Sequence, residues 1–266
     1  MRRKLLLALA ASAAVAVGMA AIASAKFDVY RVGDIIVKVD GGVTPKALPK
    51  KTDAPVTVRI RGQIASADGS HPPAFRELIA EFDKNGKINT KGLATCKGGQ
   101  LEARTTASAK SVCGKSVVGS GSGRIQISFP EQAPIPVNAP ITVFNGGTSG
   151  GKTTLYIHTY ITVPVPAAVV TTVTIKKISK GRYGLGTVSK VPVIAGGSGS
   201  VLEFDIKFGK KFNYKGRKQS YFLARCTDGR FQAHITKAIF RNEAGGPRTQ
   251  TIVSDETVIR PCTPKG

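Results

Sequence analysis

The chain has 266 residues, and its 39 Lys and Arg against 16 Asp and Glu give a formal charge of +23. That length excludes a chain too small to build its own core. After the N-terminus no stretch approaches about 18 unbroken apolar residues, which excludes a later membrane-spanning helix.

Met1-Arg2-Arg3-Lys4 is followed by an apolar run from Leu5 to about Ile22 and then by Ala23-Ser24-Ala25, the small-x-small form a signal peptidase reads. A signal peptide is expected over residues 1–25, cleaved near Ala25, and the protein is then secreted or extracytoplasmic. An uncleaved anchor competes, but the small residues at 23 and 25 suit cleavage better. Loss of Arg2, Arg3 and Lys4 lowers the charge by only three. Such a surface draws in polyanions, so the partners it suggests are anionic envelope polymers, acidic polysaccharide or stray nucleic acid; solubility alone is the plainer account.

Residues 26–51 read as an edge strand and lead-in, with Ile35 to Val39 as its β-like run and Pro45 to Lys51 as its irregular part. A single β domain is expected over 52–266. Val56, Val58, Ile60 and Ile64 alternate with Thr57, Arg59, Arg61 and Gln63, the period of a strand with one face buried. The same alternation is found at Arg124–Phe129 and Leu202–Phe208. Further strands are expected over 169–178, 187–194, 220–226, 231–240 and 249–259, with glycine-rich turns between them. Gly99 to Cys113 breaks the pattern and reads as one short helix ending at Gly114. An all-β fold is expected, with short antiparallel strands forming a two-sheet β-sandwich in preference to a barrel.

The cysteines Cys96, Cys113, Cys226 and Cys262 lie in the exported part, where disulfides persist. Three pairings exist; the nearest-neighbour one, Cys96 with Cys113 and Cys226 with Cys262, would tether the helix near 100–113. Zinc is disfavoured, because no pair has C-x2-4-C spacing and no histidine lies close by.

"GGTSGGKT" at 146–153 spells a P-loop, but a P-loop needs a helix starting at once after its lysine. Here Leu155, Ile157, Ile161 and Val163 share one parity, as a strand requires, and Ile141–Phe144 supplies a partner strand. A hairpin is expected and nucleotide binding is not. Glu81, Asp83, Asn85 and Gly86 resemble an EF-hand start, yet Gly92 stands where the bidentate glutamate belongs, so a plain turn is expected. Glu203 and Asp205 share a strand face at a spacing two glycosidase carboxylates could use, but Lys207 continues that face and marks it as solvated. His71, His158 and His234 are scattered, and no Gly-x-Ser-x-Gly elbow occurs. No catalytic set, metal site or cofactor is indicated.

Two surface features remain. Tyr156, His158 and Tyr160 share one strand face, either as an aromatic platform or as packing, and the absence of tryptophan weakens a sugar-binding role. Lys210, Lys211, Lys215, Arg217 and Lys218 interleave with Phe212 and Tyr214 in an expected hairpin, the best polyanion contact in the chain.

The phrases "DGSHPP" (68–73), "LATCKGGQLEART" (93–105), "FNGGTSGGKTTLYIH" (144–158), "GRYGLGTV" (181–188), "IAGGSGSV" (194–201), "SYFLARCTDGRF" (220–231) and "RPCTPKG" (260–266) resemble those of a group of exported bacterial proteins without an assigned function. The resemblance implies a secreted β domain and carries no catalytic residues. Two functions follow as expectations: a non-enzymatic exported protein that binds or acts structurally at the envelope or in the medium, and, as the alternative, a secreted hydrolase of envelope or polysaccharide substrates.

Overall fold

The computed structural model describes residues 27–243 and 249–266. The expected signal peptide lies outside the described residues. Before the helix run β1 (Asp28–Val32), β2 (Ile35–Thr44), β3 (Ala47–Pro49), β4 (Ala54–Ser66), β5 (Ala74–Asp83) and β6 (Gly86–Ile88). Helix α1 (Thr106–Cys113) follows. Then come β7 (Val117–Ile127), β8 (Ile135–Ser149), β9 (Lys152–Ile161), β10 (Ala167–Lys180), β11 (Tyr183–Lys190) and β12 (Gly199–Phe208). The chain ends with β13 (Lys211–Tyr214), β14 (Arg217–Ser220), β15 (Phe222–Ala224), β16 (Arg230–Arg241), β17 (Gln250–Val253), β18 (Glu256–Pro261) and β19 (Thr263–Lys265).

The fold is mostly β and antiparallel, with one short helix. The two-sheet sandwich is corrected: the strands run edge to edge in one sheet, in the order β1-β2-β4-β12-β7-β8-β9-β10-β11-β5-β16-β17, with β18 sharing the outer edge of β16. This sheet curls into a nearly closed barrel. Its two ends meet without a backbone ladder among the described residues, and side chains bridge them: Tyr30 Oη donates to the Thr257 carbonyl at 3.3 Å, and Arg260 donates to Asp28 at 2.7 Å and to Asp40 at 3.0 Å.

The period-two pattern sets what faces inward. On β4, Ile60 and Ile64 point in while Arg59 and Arg61 point out to Asp205 and Asp40. Inward residues of β7 to β12 form one buried cluster that includes Ile141, Leu155, Val173, Ile206 and Phe208. A second joins Ile35, Val37 and Ile64 to Ile235, Phe240 and Val258. Apolar inside and charged outside is the reverse of a membrane-spanning barrel's alternation. No helix among the described residues is long and apolar enough to cross a membrane.

Several local expectations shift. The strand expected from Arg124 starts earlier: Gly119-Ser120-Gly121-Ser122-Gly123 forms the middle of β7, where the inward glycines lie beside the bulky residues of β12. The first half of β8, carrying Pro136 and Pro140, reads poorly as a strand because proline cannot donate to a ladder on both sides. It forms because β8 is paired only with β7 there, β9 joining from Ile141 onward. The helix is shorter than expected. Thr105 caps it by accepting from the Ser108 N–H at 3.2 Å, and Ala109 and Cys113 are its buried side.

Both disulfides form with nearest-neighbour pairing, Cys96–Cys113 and Cys226–Cys262, with Cα separations of 5.6 and 6.1 Å. The first pins α1 to the outer face of β8 and β9 through a cluster with Leu101 and Phe144. The second ties the chain end to a small cluster with Leu48, Val56 and Ala224, near where β4 begins.

Candidate functional site

The barrel is not filled. A half-open cavity of about 410 Å³ is bordered by residues of both buried clusters and of both sides of the seam. Interiors normally leave few voids larger than one water, whose share of liquid volume is about 30 Å³. The volume of the cavity falls in the range of about 300–1,000 Å³ typical of small-ligand sites.

Glycine and small residues create the space. Phe204 of β12 lies between Gly62 of β4 and Gly123 of β7 in the ladder. A Cβ at Gly62 would overlap the Phe204 ring, so the missing side chain lets that ring lie along the wall. Gly119 and Gly121 pair with Phe208 and Ile206 in the ladder, and there an added Cβ would run into the Lys207 and Asp205 carbonyls, so these glycines let the β7 and β12 backbones approach closely. On the facing wall, β9, β10 and β11 turn Thr159, Thr171, Thr187 and Ser189 inward among valines and isoleucines.

The basic and aromatic residues singled out from sequence lie outside the cavity. Lys211, Lys215, Arg217 and Lys218 are exposed on the separate β13–β14 hairpin. Lys215 lies 5.9 Å from the centroid of Tyr214, whose ring packs on Gly92. Lys210 is half-buried and donates to the Lys115 carbonyl at 2.5 Å; burial pushes its pKa down. Tyr156, His158 and Tyr160 do share the outer face of β9, but the 98–113 segment lies over part of it. His158 is fully buried, edge-on to Phe144, with its Nε2–H on the Arg104 carbonyl at 2.9 Å. Burial holds it below the usual imidazole pKa. Tyr156 packs against Gly98 and Gly146, and Tyr160 is half-buried.

The P-loop spelling falls on a β8–β9 hairpin, with Gly150 and Gly151 at positive φ in its turn and strand, not helix, from Lys152. Asp83 in the EF-hand-like stretch is buried and already committed: it accepts from the Asn85 N–H at 3.0 Å and the Gln232 N–H at 3.2 Å, and pairs with Arg182 at 2.8 Å. Among the described residues no group of three or more His, Cys, Asp or Glu is arranged to hold a metal. Glu203 and Asp205 face outward, paired with Arg124 and Arg59; the Arg59 hydrogen bond holds the Asp205 carboxyl below its usual range.

One constellation was missed in the sequence because its members are far apart. Ser200 Oγ lies 3.0 Å from His71 Nε2, and His71 Nδ1 lies 2.9 Å from Gln126 Oε1. The order resembles a hydrolase triad, yet Ser200 donates to the Pro72 carbonyl at 2.6 Å and is only 1 % exposed. A nucleophile must reach its substrate and give its proton to the base. Ser200 meets neither need and instead fastens the 71–72 loop to β12. The cavity wall, too, was missed: its inward residues have the same alternation as any packed strand.

Compared with known proteins, the chain matches no family model, no curated protein and no solved structure.

Proposed function

We propose that this is an exported, non-enzymatic binding protein of the kind its resemblance suggests, and that it houses the apolar chain of an amphiphilic or lipid-like ligand inside its barrel. The observation that carries this is the cavity of about 410 Å³ walled by inward apolar side chains. Each methylene moved from water into such a space is favoured by about 0.8 kcal/mol, so a chain of ordinary acyl length supplies ample driving force. Export fits the disulfides, which persist in oxidising compartments. Palmitate titrated into the purified protein tests it: saturable binding of one chain supports the assignment, and no binding refutes it.

The basic exterior adds a second contact. Lys211, Lys215, Arg217 and Lys218 project from a hairpin outside the main sheet and are free to meet anionic envelope polymers or polysaccharide. Retention on heparin should fall steeply as salt rises and should weaken when these four are replaced by serine; salt-independent retention would remove this contact.

A further inference from the structure

We infer that the cavity is matched to a long apolar chain bearing one hydrogen-bonding oxygen group within its length, a hydroxyl, keto or ester, rather than to a plain hydrocarbon chain. This rests on the apolar-chain function proposed above and adds the chemical class of the ligand. The observation is a diagonal line of hydroxyls across one wall. In the β9–β10 ladder Thr159 faces Val169 and Thr171 faces Ile157, so the two threonines are diagonal neighbours. In the β10–β11 ladder Ser189 faces Val173, which makes it the next diagonal neighbour of Thr171. All three border the cavity. Diagonal pairs on one face are about 7–8 Å apart, so the three hydroxyls offer hydrogen-bonding positions in a row along the wall, and an oxygen within a bound chain can meet one of them.

Thr187, beside Ser189 on β11, is already satisfied by donating to the Ala80 carbonyl at 3.1 Å. Thr159, Thr171 and Ser189 make no side-chain hydrogen bond to a described residue, and their hydroxyls open onto the cavity instead of being sealed in the wall. An apolar ligand that fills the cavity covers these hydroxyls and leaves them unpaired, at a cost of about 1–3 kcal/mol each, whereas valine fills the same volume without that cost and occupies the flanking inward positions Val169 and Val173. Three adjacent unpaired hydroxyls in an otherwise apolar wall are therefore matched by an oxygen that arrives with the ligand. A plain hydrocarbon segment against them leaves all three unpaired; an oxygen-bearing segment pairs at least one.

Oleate and ricinoleate test this, since they differ by one in-chain hydroxyl. The wild-type protein should bind ricinoleate roughly three- to tenfold more tightly, the worth of one net hydrogen bond. In Thr159→Val/Thr171→Val/Ser189→Ala the ratio should fall to about one, through weaker ricinoleate and stronger oleate binding. Thr171→Val alone, nearly isosteric, gives the same readout with half the loss or more if the triple variant fails to fold, and the outward-facing Thr172→Val should leave the ratio unchanged. Equal affinities in the wild type, or a preference that survives in the Val variants, overturns the inference while leaving apolar-chain binding standing. Binding of neither chain overturns both.

Discussion

Arg260 on β18 donates to Asp40 on β2 at 3.0 Å, and in doing so joins the two ends of the curled sheet across 220 residues of sequence. The same guanidinium reaches Asp28 at 2.7 Å and the Val39 carbonyl at 3.3 Å, so one side chain spans the seam from β18 to both strands on the other side. All three charged groups are shielded: Arg260 is 17 % exposed, Asp40 14 % and Asp28 29 %.

Replacing Arg260 by methionine keeps the apolar stem and removes the bridge. Asp40 retains Arg61, so part of the stranded charge stays compensated. A loss of about 2 kcal/mol is expected in urea unfolding, within the range for charge-assisted hydrogen bonds. A loss below about 0.5 kcal/mol, the level of an exposed ion pair, would show that the seam does not depend on this residue.

Tyrosine titration probes the seam and the core separately, and the absence of tryptophan leaves tyrosinate absorbance clean. Burial, then the nearby Asp28 and Glu256 charges, raise the Tyr30 pKa to about 12. Burial alone raises that of Tyr221, which has no exposed surface. Because the folded values lie above the unfolded value near 10, the neutral forms favour folding fully below about pH 10, and this contribution is lost as pH rises through the folded pKa. Stability should fall above about pH 10, with Tyr221 ionising only on unfolding. Titration of all six tyrosines at their ordinary pKa in folded protein would contradict the packing of both.

The two disulfides close loops of different length, 17 and 36 positions apart. Chain-entropy arguments give about 3 and about 4 kcal/mol for them. Cys96→Ser/Cys113→Ser frees the segment that covers the outer face of β9, so it should lower stability and leave binding inside the barrel intact. Loss of chain binding in that variant would place the ligand under the helix instead.

Lys152 opens β9 at an exposed hairpin. Lys152→Ala should therefore change stability by less than about 0.5 kcal/mol, and ATP should not raise the melting temperature of either form. A saturable ATP-dependent rise would restore a phosphate-binding role to residues 146–153.

The strands themselves were largely legible, because residues such as Val56 to Ile64 and Leu202 to Phe208 carry the two-faced alternation in plain sight. Closure was not. The inner faces of a sandwich and the wall of a barrel share one period, and what separates them here is whether Arg260 meets Asp28 and Asp40, contacts more than 200 positions apart. The cavity was hidden for a related reason. Gly121 or Thr171 taken singly looks like a weak strand position; only the ladder shows that the glycines of β7 face Phe204, Ile206 and Phe208, and that Thr159, Thr171 and Ser189 align. The basic hairpin and the aromatic stripe were conspicuous because composition marks a surface more readily than it marks an absence of volume.

Native mass spectrometry with palmitate tests the central claim most directly, comparing the wild type with Thr171→Trp, which places an indole in the cavity. One chain per protein molecule is predicted for the wild type, with binding weakened at least about tenfold in the tryptophan variant while its fold and both disulfides persist. No retained chain in the wild type, or equal retention by the blocked variant, would contradict an apolar ligand inside the barrel.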